Sequence, residues 1–308
     1  MKTKEPRTFD EQLRILESRG ISIGSEAERA KALDILQRVG YYKLINGYKD
    51  LFLDKNSDEE RYKSGTTISE IYALYYFDAE LRETLLRFIL PIETHVKSLI
   101  AYRISLQYGQ DNYLQYMNFG SNKNEISKVF SSIHTQIANR QNDPSISHYL
   151  NNYGFIPMWV LNNILTLGII SKICSVMKQE DQQFISKQFR LSERELRSFL
   201  LYLTDVRNIA AHGNRLYCMR NRKPLIDMPL HQNLEIERSN EEYRFGKRDL
   251  FAAIIALRYL CSNNKYKELI DRIKEILNNL QTHLRVLTID DVLNEMGFPR
   301  VGKCCRQK

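Results

Sequence analysis

Apolar residues recur at intervals of three and four along most of the chain. The clearest run comprises Ile71, Leu74, Tyr75, Phe77, Leu81, Leu85, Phe88 and Ile89 and, after Pro91, Ile92, Val96, Leu99, Ile100 and Ile104. This is the period of a helix with one buried face, and an internal proline bends such a helix. The pattern therefore predicts one long helix that is kinked at Pro91 and ends near Gly109.

Four further positions have the sequence of a capping box, in which a hydroxyl residue is followed three positions later by glutamate. The hydroxyl accepts an N–H of the first turn, and the acid accepts the N–H of the cap residue. The pairs are Thr8 and Glu11, Ser25 and Glu28, Thr67 and Glu70, and Ser192 and Glu195. Helical periods also predict helices near 123–141, 156–177, 180–189, 193–211, 247–263, 266–284 and 289–296, and the last of these ends at Gly297.

The composition favours an all-α fold. The 308 residues include only 13 glycines and 7 prolines, which is roughly 4% and 2% where about 7% and 5% are usual. Residues 213–246 lack a sustained helical period, so we predict one long irregular loop there that could hold a short β-hairpin. We divide the chain into an N-terminal helical unit (1–65), a helical bundle that includes the loop (66–299) and a basic tail (300–308).

The positive charge is concentrated in two places. The formal net charge is +8, and the segment from Lys187 to Lys223 contains nine positive and three negative residues. The tail 300–308 adds four more positive residues. Such a concentration is typical of a protein that contacts a phosphate backbone, and a solvated face is the alternative interpretation.

Several classes of protein and site are disfavoured. No uninterrupted apolar stretch of about 18 residues is present, and no signal peptide is evident, so we expect no membrane association. The five scattered cysteines are typical of free thiols in a reducing cytoplasm. No glycine-rich phosphate loop or metal-ligand spacing occurs, so we expect neither a cofactor nor a metal.

Arg207 and His212 form an Arg-x4-His pattern within the basic stretch, just before the irregular loop. A histidine can take the proton from an RNA 2′-hydroxyl or donate one to the leaving 5′-oxygen. An arginine can bind the phosphate bidentately and balance its charge in the transition state. Because the 2′-hydroxyl is the nucleophile, this chemistry requires no metal.

The spacing of this pair poses a geometric problem. Five steps along an ideal helix place Arg207 and His212 about 140° apart, so they cannot share one face of a straight helix. Either the helix unwinds at His212, as Gly213 permits, or two copies of the chain meet to complete the site. Arg207 also continues the apolar stripe of Leu200 and Leu203, where an arginine needs a partner or a subunit interface.

These residues carry a resemblance to known proteins. The Arg-x4-His pattern resembles the signature of the HEPN superfamily of helical ribonucleases. The whole chain resembles the Abi family, the AbiD/AbiF-like abortive-infection proteins of bacteria. The matching segments are Phe9–Leu13, Arg19–Ile23, Val39–Leu44, Gly47–Tyr48, Phe77–Arg82, Ile92–Glu93, Thr204–Asn208, Ala211–His212, Asn214–Leu216 and Met296–Pro299.

The resemblance implies a HEPN-like helical bundle, defence against phage by RNA cleavage, and a site at a homodimer interface. It assigns catalytic roles to Arg207 and His212, with Asn208 beside them. Family members often have a second polar residue after the motif histidine, where this chain has Gly213. An antitoxin or regulatory partner is a further possibility in this setting.

Two sets of supporting residues have alternative interpretations. Glu93 faces a largely apolar stripe, and it could orient Arg207 or pair with Lys97 one helical turn away. Arg215, Arg220 and Arg222 could bind RNA phosphates or belong to a solvated loop.

The sequence leads to one hypothesis and one rival. The hypothesis is a metal-independent endoribonuclease of abortive infection that cleaves RNA through attack of the 2′-hydroxyl. The rival is a non-catalytic module of the same fold that binds RNA or a partner protein. A DNA-binding regulator is disfavoured because no helix-turn-helix pattern is evident.

Overall fold

A computed structural model describes residues 5–299, and the predicted basic tail 300–308 lies outside this range. The described part of the chain is all-α, as predicted. Its helices are α1 Phe9–Ser18, α2 Glu26–Val39, α3 Ile68–Tyr108, α4 Lys123–Asn139, α5 Pro144–Tyr153, α6 Met158–Leu161, α7 Leu167–Val176, α8 Gln179–Gln188, α9 Glu193–Ala211, α10 Pro229–Asn233, α11 Leu250–Leu260, α12 Asn263–Gln281 and α13 Ile289–Glu295. Short π or 3-10 turns lie at Tyr42–Asn46, Asp50–Phe52 and Tyr116–Asn118, and β1 (Arg238–Ser239) pairs with β2 (Glu242–Tyr243).

The long predicted helix is the centre of the molecule. Helix α3 has 41 residues and continues through Pro91, and it ends beside Gly109 as expected. It packs against α2, α6, α7, α8, α9, α11 and α12. Its buried side chains, which include Leu74, Leu85 and Val96, belong to a hydrophobic core that most helices share. These contacts bury most apolar side chains of α3, and one side of the helix stays exposed.

The four helix starts predicted from capping boxes are confirmed, but two of the boxes are not reciprocal. Thr8 with Glu11 and Ser192 with Glu195 form complete boxes. Glu28 instead accepts the N–H of Gly24, at 2.7 Å. Glu70 accepts three backbone N–H groups of residues 285–287, at 2.9 to 3.1 Å, and so ties the start of α3 to the segment after α12.

The prediction of one helix over 156–177 is wrong. The segment divides into α6 and α7, because Thr166 caps a new helix start by accepting the N–H of Ile169. Between them, Asn162 donates its side-chain amide to the carbonyl of Lys97 on α3, at 2.7 Å. Helix α5 was not predicted, although its start has the sequence Asp143-Pro144, a cap residue followed by proline.

The segment 213–246 is largely irregular, as predicted, and it contains the expected hairpin (β1 and β2) together with α10. Many of its side chains are buried, and His231 is fully enclosed. The His231 ring lies 2.9 Å from the carbonyl of Gly246, and burial lowers its pKa. Asp227 also binds Lys247, at 2.6 Å. These contacts join residues of the loop to each other and to Lys247, just before α11.

No helix within residues 5–299 is both long enough and apolar enough to cross a bilayer.

Gly297 ends α13 in a conformation that excludes a side chain. Its φ is +82°, and an added Cβ would lie 2.1 Å from Cγ of Asp249, the residue that caps α11. Gly154 has a similar φ of +74° but open space around the position of a Cβ. An alanine at either position would therefore have a strained backbone, but only an alanine at Gly297 would also overlap another residue.

We predict that Gly297→Ala lowers the free energy of unfolding by about 3 kcal/mol, because it adds overlap with Asp249 to the strain of a left-handed alanine. Gly154→Ala is the matched control and should lower it by only about 1 kcal/mol. Urea denaturation of both variants measures the difference, and equal losses would contradict this description of the α11–α13 contact.

Candidate functional site

Helix α9 carries the Arg-x4-His pattern and is held along most of its length. The Ser192–Glu195 capping box begins it, and a buried stripe that includes Phe199, Leu203 and Val206 packs it against the core. Its neighbours are α3, α7, α8 and α11. The pattern therefore occupies the last turns of a rigidly packed helix.

Arg207 lies where α9 faces α3, and its partner there is Glu93. Arg207 Nε is 3.6 Å from Glu93 Oε2, while Glu93 Oε1 is 2.8 Å from Lys97 Nζ. Glu93 is 6% exposed, and the Arg207 side chain is 27% exposed. The two alternatives for Glu93 thus coexist, because one carboxylate lies between both cations.

The contact between Arg207 and Glu93 is an ion pair without a hydrogen bond. Glu93 Oε2 and Arg207 Nε are both buried and lack a hydrogen-bond partner in the described chain. The two terminal nitrogens of the guanidinium also make no hydrogen bond within residues 5–299. The charge of Glu93 therefore holds Arg207 from one side, and the two terminal nitrogens of its guanidinium are available to a ligand.

His212 lies at the C-terminal cap of α9, where the helix unwinds. Asn214 N–H donates to the carbonyl of Ile209 at 3.0 Å, and Gly213 N–H donates to that of Ala210 at 3.1 Å. With the φ of +66° at Gly213, this is a Schellman motif. One of the two alternatives derived from the spacing, unwinding at Gly213, is thus observed.

The side chains of His212 and Asn208 are exposed beside this helix end. Neither makes a side-chain hydrogen bond or ion pair within the part of the chain that is described. No hydrogen bond joins Arg207 to His212 in one copy of the chain. The imidazole is free to contact an added molecule.

The backbone that follows His212 is bound by a buried carboxylate. Asp78 on α3 is fully buried and accepts the N–H groups of Tyr217 at 2.7 Å and Leu216 at 3.1 Å. It also accepts the hydroxyl of Tyr48 at 2.7 Å and lies 2.5 Å from Arg82. Burial raises the pKa of the Asp78 carboxyl, and Arg82 and the other donors oppose that rise.

Asp78 was not identified as a site residue from the sequence. It lies next to Phe77 within the apolar stripe of α3, with Arg82 four residues later. A charged residue at a buried helix position together with an opposite charge at i+4 is the signal that could have identified it. The distant partners, Leu216 and Tyr217, have no such signal in the sequence.

The three loop arginines differ in their surroundings. Arg215 donates to the carbonyl of Gly47 at 2.8 Å and lies 3.3 Å from Asp50. Arg220 donates to the backbone carbonyl of Glu295 at 2.9 Å and to its carboxylate at 3.0 Å. The guanidinium of Arg222 is exposed and unpaired within residues 5–299. The RNA contacts suggested for all three stay a prediction.

We predict that Asp78→Asn lowers the free energy of unfolding by about 3–5 kcal/mol, because it leaves the Arg82 charge buried without its partner. The variant should also speed trypsin cleavage after Arg215, Arg220 and Arg222 under native conditions. Asp181→Asn is the control. Asp181 is equally buried, and its Oδ1 lies 2.6 Å from Nε of Arg103, a residue of α3. Equal cleavage of this segment in both variants would refute the anchoring role of Asp78.

The comparison with known proteins gives one match. A family model described as Abi-like protein matches residues 34–218, which is more than half of the chain. The matched range contains Asp78, Glu93, Arg207 and His212, and it ends just after the segment that Asp78 binds. No curated protein matches the chain, and no solved structure does.

Proposed function

The chain belongs to the Abi-like protein family, and we propose that it acts in bacterial abortive infection as a HEPN-type endoribonuclease that cleaves RNA without a metal. One observation carries this proposal. At the end of one packed helix, an arginine lies against a buried carboxylate, and a histidine has an exposed side chain without a hydrogen bond in the described chain. Glu93 holds Arg207 through Nε, and His212 is exposed where α9 unwinds.

The reaction proposed here uses the RNA as its own nucleophile. The 2′-oxygen forms a bond to phosphorus while the bond from phosphorus to the 5′-oxygen breaks. One proton leaves the 2′-hydroxyl and one joins the leaving 5′-oxygen; His212 carries out one of these transfers, and solvent water carries out the other. The products are a 2′,3′-cyclic phosphate and a 5′-hydroxyl.

Arg207 is suited to bind the phosphate during this step. Its two terminal nitrogens make no hydrogen bond in the described structure, so both are available to phosphate oxygens. Glu93 fixes the arginine from the opposite side and offsets part of its charge. Asn208 is exposed on the same turn and supplies a further amide near the phosphate.

We predict that His212→Ala lowers the rate of RNA cleavage by about 10²–10⁴-fold, the usual effect of losing one acid–base group. Arg207→Ala should lower it by about 10²–10³-fold, the usual effect of losing a group that stabilises transition-state charge. His134→Ala and Arg14→Ala remove an exposed histidine on α4 and an exposed arginine on α1, and they serve as matched controls. The assay contains EDTA, and circular dichroism checks that the helical content is unchanged.

The same assay distinguishes the alternative function. A non-catalytic module of this fold would bind RNA or a partner protein, and no variant would change the RNA. The proposed activity is refuted if the parent protein leaves RNA intact, or if both site variants cleave as fast as the controls.

The active species proposed is a homodimer in which the α9 ends meet. Arg207 and His212 diverge on an ideal helix and make no hydrogen bond to each other in one described copy, so the proposed site combines Arg207 of one copy with His212 of the other. A two-fold contact needs only one self-complementary surface. An antitoxin or other regulatory partner of this dimer remains a prediction from the family resemblance.

We predict that co-expressed Arg207→Ala and His212→Ala chains recover about a quarter of the parental activity, since half of randomly assorted dimers are mixed and each has one complete site. Each variant alone is the control. A composite site is ruled out if the mixture stays inactive and sedimentation shows that a fully active parent is a 36.3 kDa monomer.

A further inference from the structure

An open groove of about 900 Å³ runs between α7, the N-terminal half of α9 and residues 223–227. Four exposed cations line it: Lys172, Arg194, Arg197 and Lys223. None of them makes a hydrogen bond through its side chain or an ion pair within residues 5–299. Their positive charges are therefore not compensated by direct contacts with the protein.

The two carboxylates of the groove already have closer partners. Glu125 pairs with Lys128 at 2.7 Å, and Asp227 pairs with Lys247 at 2.6 Å and Arg238 at 2.7 Å. Lys247 also donates to the carbonyl of Leu225 and so is part of the wall. The lining side chains carry a net charge of +3, and the excess comes from the four free cations.

The groove is aligned with the candidate active site along one stripe of α9. Arg194 and His212 are 18 residues apart, which is five full helical turns, so both point to the same outer face. Arg197, Leu201 and Asn208 lie along the same stripe, and none of them is buried. The rise of the helix places Arg194 and Arg197 about 27 and 22 Å from His212.

Asp205 is the carboxylate on this stripe, and it lies between the groove and Asn208. A phosphate is disfavoured beside it, so phosphate contacts are expected at the two ends of the stripe rather than along its middle. The distance of about 27 Å matches about eight nucleotides at the ~3.4 Å rise of one stacked strand.

We propose that this groove binds the phosphate backbone of single-stranded RNA and delivers the strand along α9 to His212. RNA as the ligand rests on the proposed function, whereas the groove and its free cations are independent of it. This surface differs from Arg215 and Arg220, whose guanidinium groups already bind Asp50 and Glu295. It adds Lys172, Arg194, Arg197 and Lys223 as RNA-binding residues.

The test measures binding separately from cleavage. A fluorescent 12-nucleotide RNA with 2′-O-methyl groups keeps every phosphate but lacks the nucleophile. Its affinity is measured by fluorescence anisotropy at several salt concentrations. The variants are Arg194→Ala with Arg197→Ala, and Lys172→Ala with Lys223→Ala. The control pair, Arg14→Ala with Lys31→Ala, removes the same charge from α1 and α2.

Each groove pair is expected to lower the slope of log affinity against log salt by about 1.4, because each phosphate contact on a single strand contributes about 0.7. The control pair should leave the slope unchanged. The proposal is overturned if the groove pairs keep the parental slope, or if a 12-residue poly-glutamate competes for the groove as well as RNA does.

Cleavage of unmodified RNA by the parent protein separates the two proposals. A reduced slope in a protein that never cleaves RNA would support the groove and refute the nuclease. Cleavage by a protein whose groove variants bind normally would support the nuclease and refute the groove.

Discussion

The buried carboxylate of Asp78 connects three parts of the molecule that are distant in the sequence. It receives the Tyr48 hydroxyl from the turn after α2, Arg82 from its own helix, and two backbone N–H groups from residues 216 and 217. Burying a carboxylate is costly unless several donors surround it, and here four donor groups do so. The backbone just after His212 is consequently fixed to α3, and this contact sets the direction in which the chain leaves α9.

This anchoring determines how the candidate site is presented. The Schellman motif leaves His212 exposed at the helix end, and the Asp78 contacts begin four residues later. Arg207 is held from the other direction, because Glu93 on α3 lies between it and Lys97. Carboxylates of α3 thus hold both the Arg207 side chain and the backbone that follows His212. Pre-organisation of this kind lowers the ordering that a substrate must impose.

Local signals in the sequence predicted the helices well, and distant contacts limited the prediction. The Ser192–Glu195 pair and the apolar period of α9 correctly predicted its start and end at Glu193–Ala211. The Thr67–Glu70 pair has the same local sequence, yet Glu70 binds residues 285–287, which no local rule anticipates. The helical period over 156–177 continued across Asn162, although that side chain binds α3 and a new cap begins at Thr166. For the site, Lys97 was identified as a partner of Glu93 because it lies one helical turn away, and Arg207 because both it and Glu93 are charged residues on apolar stripes. The role of Asp78 depends instead on a loop more than 130 residues away.

The chemistry of the RNA ends tests the central claim most directly, because it reports which atom attacked the phosphorus. Mass spectrometry of RNA cleaved by the parent protein is expected to show 2′,3′-cyclic phosphate and 5′-hydroxyl termini. A single 2′-deoxy substitution at the mapped cleavage site should abolish cleavage there. Termini with a 3′-hydroxyl and a 5′-phosphate, or continued cleavage at the 2′-deoxy position, would show that water is the nucleophile and would contradict the roles proposed for Arg207 and His212.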